Sequence, residues 1–166
     1  MINYVNKLGT IPVGDSNPVR FMGILNTSRE SFYKKSISIS KQRISDAVYR
    51  MEAEGADFID VGGMSTAPYL ATMISEKIEI SRIIKAIKII QQISNLPISV
   101  DTCRAEVAKE VLELGVDIIN DVTGSKYDPM MAKTIEKYCP SLVLCAYSKK
   151  IMTGNQLQNV KQLLNE

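Results

Sequence analysis

A seven-residue pattern occurs twice in this chain and limits its fold more than any other feature. Gly55-Ala-Asp-Phe-Ile-Asp-Val recurs as Gly115-Val-Asp-Ile-Ile-Asn-Asp. Each copy follows a stretch of helical periodicity, opens with a glycine suited to end a helix in the left-handed conformation, and continues into an apolar strand. A repeated helix-stop-strand unit is typical of β/α proteins, in which the strands run parallel.

The same alternation of strand and helix extends along most of the chain. We predict strands at Val19 to Asn26, Ala56 to Val61, Ile98 to Val100, Val116 to Ile119 and Ser141 to Ala146. Helices are predicted at Lys41 to Glu54, Ser75 to Ser94, 104 to 114, Pro129 to Tyr138, and a last one carrying Leu157, Val160 and Leu164. Residues 1–17 read as an irregular lead-in or a small hairpin.

The length of 166 residues predicts one domain across 1–166. Five strands alternating with five helices fit two α/β architectures. One is an open doubly wound sheet, and the other is an incomplete (β/α)8 TIM-type barrel, whose full form needs about 250 residues. The glycine-rich phosphate motifs of the nucleotide-binding folds do not occur in the sequence.

Composition narrows the chemistry that the chain can perform. The absence of histidine excludes imidazole acids and bases, His-activated nucleophiles and His-ligated zinc. Lys and Arg (20) nearly balance Asp and Glu (18) along the chain, so we expect neither a nucleic-acid nor a membrane partner, and a cytoplasmic location. The three cysteines form no CxxC pair, and we predict that they are reduced, buried small hydrophobes.

Polar residues stand at the exits of two neighbouring predicted strands, Asp101 after the third and Asn120 after the fourth. Because the carboxyl ends of parallel strands share one face of the fold, these side chains should lie next to each other. A carboxylate beside a carboxamide suits a flat heterocycle with an amino group, a ring N–H and a carbonyl on one edge. Alternatively, Asp101 caps the following helix and Asn120 forms a turn with Asp121.

Four ordered motifs together resemble the dihydropteroate synthases, members of the pterin-binding group of (β/α)8 barrels. They are Met22-Gly-Ile-Leu-Asn26 followed by Ser31-Phe32, Gly55-Ala-Asp-Phe-Ile-Asp-Val-Gly-Gly63 followed by Ser65-Thr66 and Pro68, Ser99-Val-Asp101-Thr102, and Ile119-Asn120-Asp121-Val122. Their order and spacing are similar to those of the family and cover most of residues 20–125.

The resemblance implies a role for several of these residues. Asp101 and Asn120 would bind the aminopyrimidine edge of a pterin, and Asn26 would help to hold Mg²⁺ on a diphosphate. Ser65, Thr66 and Pro68 would belong to a loop that closes over the diphosphate and the incoming arylamine. The implied reaction condenses a dihydropterin-methyl diphosphate with p-aminobenzoate, or a modified arylamine, and releases diphosphate in folate or modified-pterin biosynthesis.

Two departures qualify the expected activity. Met64 and Ala67 replace a glutamate and an arginine of the usual family loop, as in archaeal-like relatives, which removes an anion contact. The resemblance covers about five of eight β/α units, so the family's later lysine and arginine find no counterpart and the catalytic residues stay unknown. We expect a partial chain or a subunit completed by another chain, such as a homodimer. Alternative functions are a methylpterin–corrinoid methyltransferase and a non-catalytic half-barrel binding module.

Overall fold

A computed structural model of the protein describes residues 6–14, 16–27, 40–64, 74–148 and 152–165. A short antiparallel hairpin comes first, formed by β1 (Lys7–Leu8) and β2 (Ile11–Pro12). The backbone N–H of Gly9 in its turn donates to Ser141 Oγ at 2.9 Å, which fixes the hairpin against the start of the last strand. Ser31 and Phe32 lie outside the described residues.

The main body is a parallel sheet with helices between its strands. The strands are β3 (Met22–Asn26), β4 (Phe58–Gly62), β5 (Ile98–Asp101), β6 (Ile118–Asp121) and β7 (Ser141–Leu144). The helices are α1 (Lys41–Ala53), α2 (Glu76–Ile93), α3 (Ala105–Leu112), α4 (Met131–Tyr138) and α5 (Gln156–Leu164). Each predicted strand and helix is present, with shifts of up to three residues at its ends.

The order of the strands decides between the two architectures. The sheet runs β3-β4-β5-β6-β7, and every neighbouring pair is parallel. A doubly wound sheet reverses its strand order at a switch point, and its helices cover both faces. Here every crossover steps in the same direction, and right-handed crossovers then place the helices on one face. The fold is therefore five units of an incomplete (β/α)8-type barrel.

The repeated sequence pattern has the same structural role in both copies. Gly55 and Gly115 end α1 and α3 with φ angles of +89° and +83°, a left-handed conformation that glycine adopts without strain. Asp57 Oδ2 then accepts the backbone N–H of Phe21 at 2.8 Å, and Asp117 Oδ2 accepts that of Ile98 at 3.4 Å. Each copy thus stops a helix and ties its own strand to the entrance of the preceding one.

The core lies between the sheet and the helices. Strand residues that face the helices, such as Ile59, Val61, Val100 and Ile119, are fully buried. They belong to one apolar cluster together with Ile83, Ile87, Ile90, Val107 and Val111 from α2 and α3. Each such side chain contributes about 1.5–3 kcal/mol by leaving water. The apolar residues that recur at helical spacing on α2 and α3 therefore hold these helices on the sheet.

The prediction that the cysteines are buried was wrong for two of the three. Only Cys103 is buried, whereas Cys139 and Cys145 are exposed. Of the two adjacent methionines at the start of α4, Met131 is fully buried and Met130 is exposed, because Met130 precedes the first turn of the helix. Ile78 lies in the first turn of α2 and is also exposed. Within the described residues, none of the helices has the length and apolar character needed to span a bilayer.

Candidate functional site

One row of residues crosses four neighbouring strands at their carboxyl ends. Asn26 is paired with Gly62, Gly62 with Asp101, and Asp101 with Asn120. Paired residues of neighbouring parallel strands are separated by about 4.8 Å and point to the same face of a sheet. The structure thus brings Asp101 and Asn120 side by side, which is the spatial arrangement that the sequence analysis expected.

This row lies on the face of the sheet opposite the helices. Alternation along the strands places Asp60 and Ser99 on the same face, one layer below Gly62 and Asp101. Asp60 and Ser99 are both buried, whereas Asp101 and Asn120 above them are partly accessible. The face therefore has a closed polar floor and an accessible polar rim, which is the form expected of a site that receives a small molecule.

Asp60 connects this floor to the rim. Its Oδ1 accepts a hydrogen bond from Ser99 Oγ at 2.6 Å, and its Oδ2 accepts one from Asn120 Nδ2 at 3.1 Å. Asp60 was not among the site residues predicted from the sequence. The signal was present in the repeat, because the two copies of the pattern align Asp60 with Asn120.

Asp101 carries an unused acceptor. Its Oδ1 is buried and has no hydrogen-bond partner among the described residues. Burial raises the pKa of Asp101 from 3.8 to about 7, and the negative charges of Asp60, Glu79 and Asp121 add to the rise. An unsatisfied buried carboxylate oxygen is costly in the free protein, so it favours a ligand that brings hydrogen-bond donors to it.

The alternative structural roles considered for Asp101 and Asn120 were a helix cap and a turn, and other side chains fill both roles. The backbone N–H of Ala105, at the start of α3, donates to Asp128 Oδ2 at 2.8 Å, so Asp128 rather than Asp101 supplies this cap. Asp121 forms the turn after β6 by accepting the backbone N–H groups of Thr123 at 2.8 Å and Ser125 at 3.0 Å. The turn prediction was therefore right for Asp121, while the side chain of Asn120 bonds to Asp60 instead.

Asn26 stands at the end of the row, over Gly62. A Cβ atom at Gly62 would lie 2.8 Å from Asn26 Oδ1 and 3.8 Å from Asp101 Oδ2. The missing side chain therefore leaves room for the Asn26 carboxamide at the rim. Among the described residues, no group of three His, Cys, Asp or Glu side chains could enclose a metal ion. A single amide oxygen at the rim does fit Mg²⁺, which is often held by one or two protein groups together with phosphate oxygens and water.

A buried network of charged and polar side chains joins α2 to the segment that follows Asp101. Glu79 of α2 is fully buried, and it accepts hydrogen bonds from Arg104 Nη1 at 2.6 Å and Thr102 Oγ1 at 2.9 Å. Burial raises the pKa of Glu79, and the bonds from Thr102 and Arg104 act in the opposite direction. The backbone N–H of Thr102 donates to the Asn120 carbonyl oxygen at 3.1 Å. The network therefore connects α2 to the ends of β5 and β6.

Two arginines hold the residues that flank 65–73. Arg82 Nη1 donates to the carbonyl oxygen of Gly63 at 3.1 Å, and Arg104 Nη2 donates to that of Ile74 at 3.0 Å. Ser65, Thr66, Ala67 and Pro68 themselves lie outside the described residues. Their predicted contact with a diphosphate and an arylamine stays a prediction.

Comparison with known proteins identifies the class to which this fold and rim belong. The pterin binding enzyme family matches residues 22–166, and the chain belongs to that family. Dihydropteroate synthases are among the curated proteins that this chain resembles. The enzyme from Clostridium beijerinckii is 37% identical over 136 residues, which are 80% of this chain and 49% of that protein. The chain thus spans about half the length of the curated relatives that it matches.

Solved structures show the same likeness. A Clostridium difficile dihydropteroate synthase, crystallised in the presence of pteroic acid, has a TM-score of 0.76 and 30% identity, covering 99% of this chain and 59% of that one. A Xanthomonas albilineans dihydropteroate synthase with 4-aminobenzoic acid has a TM-score of 0.76 and 28% identity, covering 88% and 53%. These neighbours confirm the barrel-type fold.

Proposed function

We propose that this chain forms the pterin-recognition part of a dihydropteroate synthase. The observation that carries the proposal is the pairing of Asp101, whose buried Oδ1 has no partner among the described residues, with Asn120 on the next strand. A pterin presents an amino group and a ring N–H on one edge, so it supplies the donors that this carboxylate requires. The dihydropteroate synthases among its relatives make this ligand the first one to test.

The proposed reaction joins a dihydropterin-methyl diphosphate to an arylamine such as p-aminobenzoate. The arylamine nitrogen forms a bond to the pterin methylene carbon, the bond from that carbon to the diphosphate oxygen breaks, and the nitrogen loses one proton. An arylamine is largely neutral near pH 7, so the main requirement is stabilisation of the negative charge that develops on the leaving diphosphate. The chain's own contribution is to bind and orient the pterin through Asp101 and Asn120.

We further propose that Mg²⁺ supplies part of that charge stabilisation and that Asn26 is one of its ligands. The Asn26 carboxamide lies in the same row as Asp101, two strands away, and Gly62 between them has no side chain to separate the two groups. A ligand bound at Asp101 and Asn120 could therefore extend a phosphate towards Asn26. Ser65, Thr66 and Pro68 complete the proposal as contacts to the diphosphate and the arylamine.

Pterin binding is the decisive test. The affinity for a pterin, measured by calorimetry, should fall about 10- to 100-fold in Asp101→Asn, which corresponds to roughly 1–3 kcal/mol for an unsatisfied polar group. Asp46→Asn makes the same chemical change on the exposed surface of α1 and should bind as wild type does. Equal affinity in wild type and Asp101→Asn would overturn the pterin site.

A binding module without catalysis is the second candidate. In the part of the chain that the structure describes, β3 and β7 are the outer strands of the sheet, and Ile24 on the rim-bearing face is 65% exposed. A closed barrel would cover both strand edges and this face.

Diphosphate release from a pterin diphosphate and p-aminobenzoate would support the synthase. Pterin binding without release, alone or after mixing with a carboxyl-terminal barrel fragment, would support the module. Methyl transfer to cob(I)alamin would instead indicate the methyltransferase alternative.

We also propose that the protein acts in the cytoplasm, without a nucleic-acid or membrane partner. We propose a second copy of the chain as a candidate partner. The near balance of positive and negative charges supports the absence of a nucleic-acid or anionic-membrane partner.

A further inference from the structure

We propose that Asp60 is a positioning residue that fixes the orientation of the Asn120 carboxamide, and thereby selects ligands that offer a donor rather than an acceptor to the carboxamide oxygen of Asn120. This inference rests on the proposed pterin site and deepens it. It concerns a residue one layer below the rim, which the ligand need not touch.

The chemistry of the two side chains determines the orientation. Asp60 Oδ2 and Asn120 Nδ2 are 3.1 Å apart. An ionised carboxylate only accepts hydrogen bonds, so Asn120 must turn its NH₂ group towards Asp60. Rotating the carboxamide by half a turn would bring its oxygen against a carboxylate oxygen, which is repulsive. The oxygen of Asn120 is therefore directed away from Asp60.

Asp60 is itself held in place. Its Oδ1 accepts from Ser99 Oγ at 2.6 Å, and Asp60 and Ser99 are 5% and 0% exposed. A buried carboxylate with a partner on each oxygen has little freedom to rotate. Asp60 therefore fixes which side of the Asn120 carboxamide faces it, whereas Ser99 only holds Asp60 in place.

The consequence is a rim that presents acceptors. Asp101 offers its unpartnered Oδ1, and Asn120 offers its carboxamide oxygen together with one remaining N–H. A 2-amino-4-oxo pyrimidine edge supplies an amino group and a ring N–H to such acceptors and a carbonyl to the N–H. Lumazine is the same bicycle with an oxo group in place of the 2-amino group, so it should be rejected.

The first test compares pterin with lumazine in three proteins. In Asp60→Asn the new carboxamide can donate or accept, so Asn120 is free to turn over. We expect the preference for pterin over lumazine to fall at least fivefold in this variant. Ser99→Ala removes the other hydrogen bond of Asp60 and should change the preference by less than twofold. A uniform loss of both ligands in Asp60→Asn, or an equal change in Ser99→Ala, would overturn the inference, because a purely structural role predicts either result.

A reciprocal exchange keeps the test valid if Asp60→Asn folds poorly. Asn120→Asp sets two carboxylates against each other and should weaken pterin binding at least tenfold. Asp60→Asn combined with Asn120→Asp restores the hydrogen bond with its donor and acceptor exchanged, and it again presents an oxygen to the ligand. We expect the double variant to recover at least tenfold over Asn120→Asp. Failure to recover any affinity would contradict the inference.

A measurement without ligand separates this inference from the proposed function. In ¹⁵N NMR of the whole chain, the side-chain NH₂ of Asn120 should exchange slowly with solvent in wild type and Ser99→Ala, and at least tenfold faster in Asp60→Asn. Absence of pterin binding by wild type would refute the proposed function alone. Equal exchange rates in wild type and Asp60→Asn would refute the positioning role, whether or not pterin binds.

Discussion

Arg104 donates a 2.6 Å hydrogen bond to Glu79, and this ion pair is closed off from solvent: the Glu79 side chain is 0% exposed and that of Arg104 10%. The contact joins the segment after β5 to α2. Removing one member of such a pair leaves a buried charge without compensation, which costs more than the pair itself contributes. Breaking this ion pair therefore tests how much it contributes to the stability of the fold.

We expect Arg104→Met to lower the free energy of unfolding by about 3–5 kcal/mol, the usual cost of breaking a buried pair. Urea denaturation measures the change. The matched variant Arg104→Met with Glu79→Leu removes both charges and should recover most of the loss. A loss of less than about 1 kcal/mol in the single variant would mean that solvent reaches Glu79.

Asp101→Asn should stabilise the free protein at alkaline pH. The folded-state pKa of Asp101, about 7, lies above its ordinary value of 3.8, because burial disfavours the carboxylate. Between these values the folded state binds more protons than the unfolded state, so stability falls as pH rises through this window. Replacing the carboxyl group removes this dependence, and we expect a gain of up to about 4 kcal/mol at pH 8 that vanishes near pH 4. Thermal melting across this range checks it, and a loss of stability at pH 8 would contradict it.

Pterin affinity should increase with pH up to the pKa of Asp101, about 7. The ionised carboxylate accepts the ligand's donors, whereas the protonated form loses an acceptor, so affinity should drop up to about tenfold for each pH unit below that value. Binding near pH 6.5 should therefore release a proton. Calorimetry in buffers of different ionisation enthalpy measures this release, and Asp101→Asn provides the control with none. Proton uptake on binding would exclude the ionised carboxylate as the acceptor.

Two adjacent glycines should respond differently to alanine. A Cβ at Gly62 would meet the mobile tip of Asn26 at 2.8 Å, whereas at Gly63 it would meet Glu79 Cγ at 2.8 Å and Ile83 at 2.9 Å in the core. We expect Gly63→Ala to cost about 1–3 kcal/mol of stability through overpacking.

Gly62→Ala should change stability by less than about 1 kcal/mol, but it should displace Asn26 and abolish the Mg²⁺-dependent gain in affinity for a pterin diphosphate. Calorimetry with and without Mg²⁺ measures that gain, and Asn26→Ala serves as the positive control. A gain that is unchanged in both variants would remove Asn26 from the proposed Mg²⁺ site.

The order of the elements and the pairing of Asp101 with Asn120 could be predicted from the sequence, because helix-stopping glycines and apolar strands with polar ends are local signals. The polar floor could not. Asp60 lies in the middle of a strand, and although the repeat aligns it with Asn120, its partners become known only when the register places it beside Ser99 and one layer below Asn120. Glu79 was hidden for a related reason, because its partners Thr102 and Arg104 come from a different β/α unit.

The hydrogen bonds from Arg82 to the Gly63 carbonyl and from Arg104 to the Ile74 carbonyl hold the backbone on both sides of residues 65–73. Because Arg82 and Arg104 bond only to backbone oxygens there, they hold these positions whatever side chains lie between them. Under the proposed function, substitutions such as Ala67 would alter the choice of arylamine while the row from Asn26 to Asn120 stays as it is. We therefore expect that exchanging residues 65–73 alone would change the proposed preference for the arylamine and leave pterin affinity unchanged.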